Sequence, residues 1–178
     1  RDDAYDCDLT GNGVYDERFY ALAVNDSRNL DLVYYTNYNN GPDVDSTAYY
    51  NDSLEKLPTK AQWSNPNLVE FSQDQISSLI PIEDLRSACS PGTTGITNID
   101  VKRCIFTLEN SSFRIDNRTF ADGIWLEKIN QSHYRIMTTS LAVNARPGNE
   151  SLNATRPVIR VPLQLIEGVA GRSYTITY

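Results

Sequence analysis

The feature that most limits what this chain can become is a pair of β-rich runs, Arg18–Val24 and Leu30–Thr36, held apart by Asn25-Asp26-Ser27-Arg28-Asn29. Aromatic and branched residues favour extended backbone, and a short Asn/Asp/Ser-rich gap between two such runs favours a hairpin. The spacing therefore predicts two antiparallel strands early in the chain. Further strands are predicted at Gly123–Glu127, His133–Thr138, Arg156–Val161 and Ser173–Tyr178, with a loop over Gly148–Thr155. Between these regions the periodicity changes. Ile82, Leu85 and Cys89 recur at helical spacing, and so do Val101, Cys104, Ile105 and Leu108. Thr59 can cap a short helix that turns Trp63 inward, and Gln73–Leu79 can form a helical turn ahead of Pro81. Asn37–Asp52, rich in Asn, Asp, Gly and Tyr, reads as a long exposed loop. Strands, then helices, then strands, with no repeat and no domain-scale linker, predict an α+β fold: a single domain of antiparallel strands with two or three short helices in the middle. The division expected is an acidic N-terminal loop over 1–17 and one α+β surface domain over 18–178.

Charge narrows the partners. Sixteen Lys and Arg against 23 Asp and Glu leave a formal charge of −7. The cations are scattered singly, so neither a phosphate backbone nor an anionic membrane surface is expected as a partner. No apolar run approaches the roughly 18 residues that span a bilayer, so no transmembrane segment is predicted. No signal peptide is visible either, and an exported chain of this kind is expected to have lost its export signal. Sixteen Asn and 29 Ser and Thr yield seven Asn-x-Ser/Thr triplets, at Asn25, Asn51, Asn110, Asn117, Asn130, Asn149 and Asn153. Chance would give about three. The excess fits a glycosylated extracellular chain, and it also fits an Asn-rich bacterial surface protein whose composition produces the motif; both place the chain outside the cell.

The three cysteines are Cys7, Cys89 and Cys104. They lack the Cys-x-x-Cys spacing of zinc or redox sites. If Cys89 and Cys104 face the core from adjacent short helices, a Cys89–Cys104 disulfide is expected, closing a short loop and contributing about 3 kcal/mol. Two buried free thiols are the alternative. Cys7 is then free, or paired with another chain.

One stretch carries a metal-ligand register. In Asp6-Cys7-Asp8-Leu9-Thr10-Gly11-Asn12-Gly13-Val14-Tyr15-Asp16-Glu17, the oxygens of Asp6, Asp8, Thr10, Asn12 and Glu17 fall where an EF-hand loop places its Ca²⁺ ligands, with Gly11 at the sharp turn. The same residues also make plain acidic turns. His133 is the one histidine, in a run that reads as an exposed hairpin turn. Without a nucleophile motif beside it, no nucleophile, base and orienting group can be assembled, and no catalysis is expected. Trp63 and Trp125 read as core anchors. Tyr34, Tyr35, Tyr38, Tyr49 and Tyr50 fit strand packing first and a sugar- or protein-binding loop second.

Three stretches resemble a known family. Leu57-Pro58-Thr59-Lys60-Ala61-Gln62-Trp63 is similar to the Leu-Pro-Thr-x-x-x-Trp signature of the formylglycine-generating-enzyme branch of the C-type-lectin-like fold. Asp84–Cys89 with Cys104 and Leu108-Glu109-Asn110 forms the second, and Gly123–Glu127 with Thr155–Pro162 the third. Together they resemble surface proteins of Gram-positive bacteria, often preceded by a prepilin-like helix, whose C-terminal region is C-type-lectin-like. The resemblance implies an extracellular, surface-displayed or pilin-like domain for adhesion or filament assembly. Its partners would be a protein or glycan on another surface, or like subunits. The enzyme branch uses cysteines late in the chain, where this sequence has none, so its chemistry does not transfer. Two other readings are a glycosylated coat or filament subunit joined by β-strand exchange through Ser173–Tyr178, and a glycan-acting hydrolase.

Overall fold

The predicted hairpin is the centre of the molecule. A computed structural model describes residues 4–38, 47–103, 123–137, 140–168 and 174–178. Strands β2 (Glu17–Val24) and β3 (Asn29–Tyr34) pair antiparallel, with Phe19 opposite Tyr34 and Val24 opposite Leu30. The turn is set by Asn25. Its Oδ1 accepts from the amides of Ser27 (3.0 Å) and Asn29 (3.2 Å), while Arg28 takes the left-handed conformation at φ 59°. A three-residue hairpin loop needs one such residue to close.

Around this hairpin lies a six-stranded sheet. Strands β1 (Ala4–Cys7), β7 (Val158–Pro162), β8 (Ile166–Gly168) and β9 (Tyr174–Ile176) complete it in the order β7-β3-β2-β1-β9-β8, with β1 and β9 parallel and the other pairs antiparallel. A smaller sheet follows the order β4 (Gly123–Trp125), β5 (His133–Met137), β6 (Val143–Arg146). With helices α1 (Tyr50–Lys56) and α2 (Ile82–Cys89), the fold is one small α+β domain.

The large sheet is covered on both faces, which explains near-continuous apolar runs such as Val158-Ile159 in β7. Tyr20, Leu22, Val33 and Val158 pack on one side against Ile82, Leu85 and Cys89 of α2 and against Ile124, Leu126 and Ile136 of the small sheet. Phe19, Leu30, Leu32, Tyr34, Ile159 and Val161 pack on the other against Leu9, Trp63, Leu68 and Ile76. Two charged residues interrupt the first face. Asp31 and Arg160 sit opposite each other on β3 and β7 and form a two-pronged ion pair (2.7 and 2.6 Å), with Asp31 fully buried. The Arg160 guanidinium also lies 4.4 Å from the centre of the Phe71 ring.

Several expectations are corrected by this arrangement. Residues 4–17 do not form a separate loop: β1 is an interior strand, hydrogen-bonded on both sides. The Asn37–Asp52 region already contains the first turn of α1. Gln73–Leu79 is not helical. Its Ser78 exchanges backbone hydrogen bonds with Val158 (3.0 and 2.8 Å), because the outer edge of β7 needs partners that a helix could not provide. The Thr59 segment makes a single capped turn, with Thr59 O accepting from Trp63 N at 2.9 Å. The helix predicted from Asp100 begins as a 3-10 turn over Val101–Arg103, and the remainder of that prediction, from Cys104 to Leu108, lies outside the described residues.

Gly123 is where β4 and β5 come closest. A Cβ at this position would stand 2.2 Å from the Ile136 carbonyl oxygen, well inside contact distance. Gly123→Ala is therefore expected to push β4 off β5 and lower stability by about 1–3 kcal/mol, the cost of overpacking a filled site. The midpoint of urea unfolding measures this; an unchanged midpoint would contradict it.

Candidate functional site

The two segments read from sequence as loops, Asn37–Asp52 and Gly148–Thr155, meet at one place. Trp125 starts the construction. Fully buried, it donates from Nε1 to the Ala48 carbonyl at 2.8 Å, fixing the approach to α1. Ala48 and Asn153 then exchange backbone hydrogen bonds (2.9 and 3.0 Å), and Tyr50 N donates to Gly148 O at 2.8 Å. The Tyr50 ring stands edge-on to Trp125 (centroids 5.4 Å) and to His133 (4.5 Å). Aromatic edges prefer this geometry, so the three rings form a wall from core to surface.

Outside that wall lies an open cleft with two lobes. One, of about 480 Å³, is lined by Gln131, Ser132, His133, Arg146 and the Pro147-Gly148-Asn149 turn. The other, of about 390 Å³, is lined by Tyr49, Asn51, Asp52 and again His133, Gly148 and Asn149. Gly148 lets its turn pack closely on the wall, since a Cβ there would stand 3.0 Å from Tyr50 Cβ and 3.1 Å from the His133 ring. His133 is the first residue of β5, directly opposite Arg146 on β6, rather than a turn residue; the turn is the preceding Ile129–Ser132. Partial burial and then the nearby Lys128 push its imidazole below its ordinary range, favouring the neutral ring.

The residues of the calcium register are engaged with the loop backbone and with neighbouring side chains. Asp8 turns both oxygens to the backbone, accepting from the amides of Thr10 (3.2 Å), Gly11 (2.8 Å), Asn12 (3.3 Å) and Gly13 (2.9 Å). Burial would raise its carboxyl, but these four amides together hold it below the usual range. Asp6 is paired with Arg18 (2.8 and 3.2 Å), Asn12 Oδ1 accepts from Val14 N, and Glu17 is bonded to Tyr34. Loop amides occupy the Asp8 oxygens, and Arg18 balances the charge of Asp6. Thr10 supplies only its backbone amide to Asp8, and among the described residues no group of three or more acidic, His or Cys side chains converges on a metal position.

The seven candidate glycan acceptors divide by exposure. Asn51, Asn130 and Asn149 are exposed, and Asn51 and Asn149 line the cleft. Asn25 is half-buried with its Oδ1 closing the hairpin. Asn153 is fully buried, accepting from Arg135 (3.1 Å) and donating to Ser151 Oγ (2.9 Å), so no sugar fits on it in this fold. Asn110 and Asn117 lie outside the described residues.

Among the cysteines, Cys7 is a free thiol, fully buried, and burial pushes it up to about 12. It is neither nucleophilic nor within reach of another chain. Cys89 is buried on α2 and is not a free thiol, whereas Cys104 lies outside the described residues. Of the five tyrosines, Tyr34, Tyr38 and Tyr50 are core residues, Tyr35 is partly buried, and only Tyr49 is exposed, at 42%. Sequence reasoning did not single out Gly148 or Arg146 as individual residues. A Pro-Gly pair beside a polar turn was the available signal.

Comparison with protein-family models, with curated proteins and with solved structures gives no match.

Proposed function

We propose that this chain is an extracellular, surface-displayed or pilin-like binding domain that serves adhesion or filament assembly without catalysis, and that its binding face is the His133 cleft. The observation carrying this is the convergence of the two polar segments, from Tyr49–Asp52 and Arg146–Asn149, on an open concavity backed by a rigid aromatic wall. Binding sites are typically concave, with a few placed polar groups on a fixed scaffold. A C-type-lectin-like plan is part of the reading. It is supported by where the resembling stretches fall: Trp63 and Trp125 are buried anchors, Asp84–Cys89 lies within α2, and Val158–Pro162 is β7. Assembly by strand exchange through the C-terminal strand is less well supported, because β9 already has partners on both sides, β1 and β8.

The test is adhesion of beads coated with the chain to mucin-coated plates and to fixed cells. Asn149→Trp fills the ridge shared by both lobes from an exposed position, and should abolish adhesion. Asp26→Trp, on the exposed β2–β3 turn, should leave it intact. Equal adhesion by both variants would refute the cleft as the binding face.

A further inference from the structure

Resting on that reading of the cleft, we infer that its two lobes are subsites for an acidic saccharide, with a carboxylate-bearing sugar in the Arg146 lobe and its neutral neighbour in the Asp52 lobe. The chain carries a net charge of −7, yet the first lobe is locally cationic: Arg146 lines it and Lys128 acts electrostatically on His133 at its edge. No carboxylate lines this lobe among the described residues. A guanidinium presents a planar fork that matches a carboxylate at two points, which a lone ammonium does not. Gln131, Ser132 and Asn149 around it offer the mixed donors and acceptors that hydroxyl groups need.

The second lobe has a different chemistry. Asn51 and Asn149 offer both donors and acceptors and Asp52 acceptors, a set suited to vicinal hydroxyls, and Tyr49 exposes a ring on which the apolar face of a sugar can lie. The one lining carboxylate, Asp52, disfavours a second anion there. The lobes share His133, Gly148 and Asn149, so adjoining sugars of one chain can occupy both.

The groups facing His133 are Tyr50 and Asp52 from α1, Arg146 from β6, and Lys128 from the turn before β5. A bound carboxylate favours the protonated ring, so affinity should rise as the pH falls below neutrality.

The probes are 3′-sialyllactose and a hyaluronan tetrasaccharide, with lactose as the neutral control and pentaglutamate as an acidic peptide, titrated against the chain by calorimetry at pH 7.5 and 5.5. Both acidic sugars should bind at least tenfold more tightly than lactose, and more tightly at pH 5.5. Arg146→Ala should remove that preference at unchanged melting temperature, Arg146→Lys should restore only part of it, and His133→Gln should abolish the pH dependence. Equal binding of lactose and 3′-sialyllactose, absence of binding by either acidic sugar, or pentaglutamate binding as well as they do would overturn the inference. So would an intact-mass measurement of native material showing glycans on Asn51 or Asn149, which would fill the lobes. If Asn149→Trp abolishes adhesion while the acidic sugars show no preference, this inference fails and the adhesive reading stands.

Discussion

An Asp31→Ala chain is expected to lose about 3–5 kcal/mol of stability, enough to unfold much of a small domain at 25 °C. Asp31 is fully buried and takes both prongs of Arg160 at 2.7 and 2.6 Å. Removing it leaves a largely buried guanidinium with only the Phe71 ring and Asp84 nearby. The companion substitution should act in the opposite sense. Asp84, on α2, faces Asp31, Arg160 and Glu127. Burial first, and then its hydrogen bond to Asp31, raise its carboxyl from 3.8 to about 8, and its Oδ2 has no hydrogen-bond partner. Between pH 4 and about 8 the folded chain therefore holds a proton that the unfolded chain has released. Stability must fall as pH rises through that window, by up to about 1.4 kcal/mol per unit, and level off above it. Glu127 and Glu17, also raised chiefly by burial, shift it in the same direction.

In Asp84→Asn the amide donates to Asp31 in place of the shared proton. The variant should be the more stable chain at pH 8, and its decline between pH 4 and 8 should be shallower. Urea unfolding at pH 4, 6 and 8 checks both substitutions. A parallel pH course for Asp84→Asn and the parent would show that α2 carries no such proton.

The second large effect concerns Trp125. Trp125→Ala removes a fully buried side chain and is expected to cost about 3–5 kcal/mol. Trp63→Ala, on the opposite face of the large sheet, should cost a similar amount. The two differ in what happens at the cleft. Trp125 holds Ala48 and supports Tyr50, which in turn packs on His133. Its loss should free the imidazole from partial burial and let its titration return toward the ordinary histidine range. Trp63→Ala should leave that titration unchanged. Proton NMR of the His133 ring reads it directly. If either alanine variant fails to fold, Trp125→Phe keeps an aromatic ring, removes the Nε1 bond to Ala48, and should cost about 1–3 kcal/mol. Identical His133 titrations in the parent and in every folded Trp125 variant would show that the aromatic wall does not position the site.

Much of this architecture was readable from local patterns. The hairpin followed from two β-rich runs around an Asn-rich gap, and α2 from Ile82, Leu85 and Cys89, because both signals depend on neighbours in sequence. Three of the short strands were not readable. β1, β6 and β8 span four, four and three residues, too few to show a period, and each is extended because a partner strand satisfies its backbone. The cleft was half readable: Tyr49–Asp52 falls in a segment that reads as a polar exposed loop and Gly148–Asn149 in one that reads as a loop, but nothing local says they meet.

What the sequence determined alone is therefore the α+β order, the core anchors Trp63 and Trp125, and the polar character of the two loops, since composition and periodicity act over a few residues. The tertiary structure decided the rest. It made Asp8 an acceptor for its own loop, buried Asn153 beyond reach of a sugar, and set Asp31, Asp84 and Arg160 together from three separate elements. These outcomes depend on groups far apart in the chain competing for one another's charge and hydrogen bonds, and that competition is resolved only when the sheet and α2 close on each other.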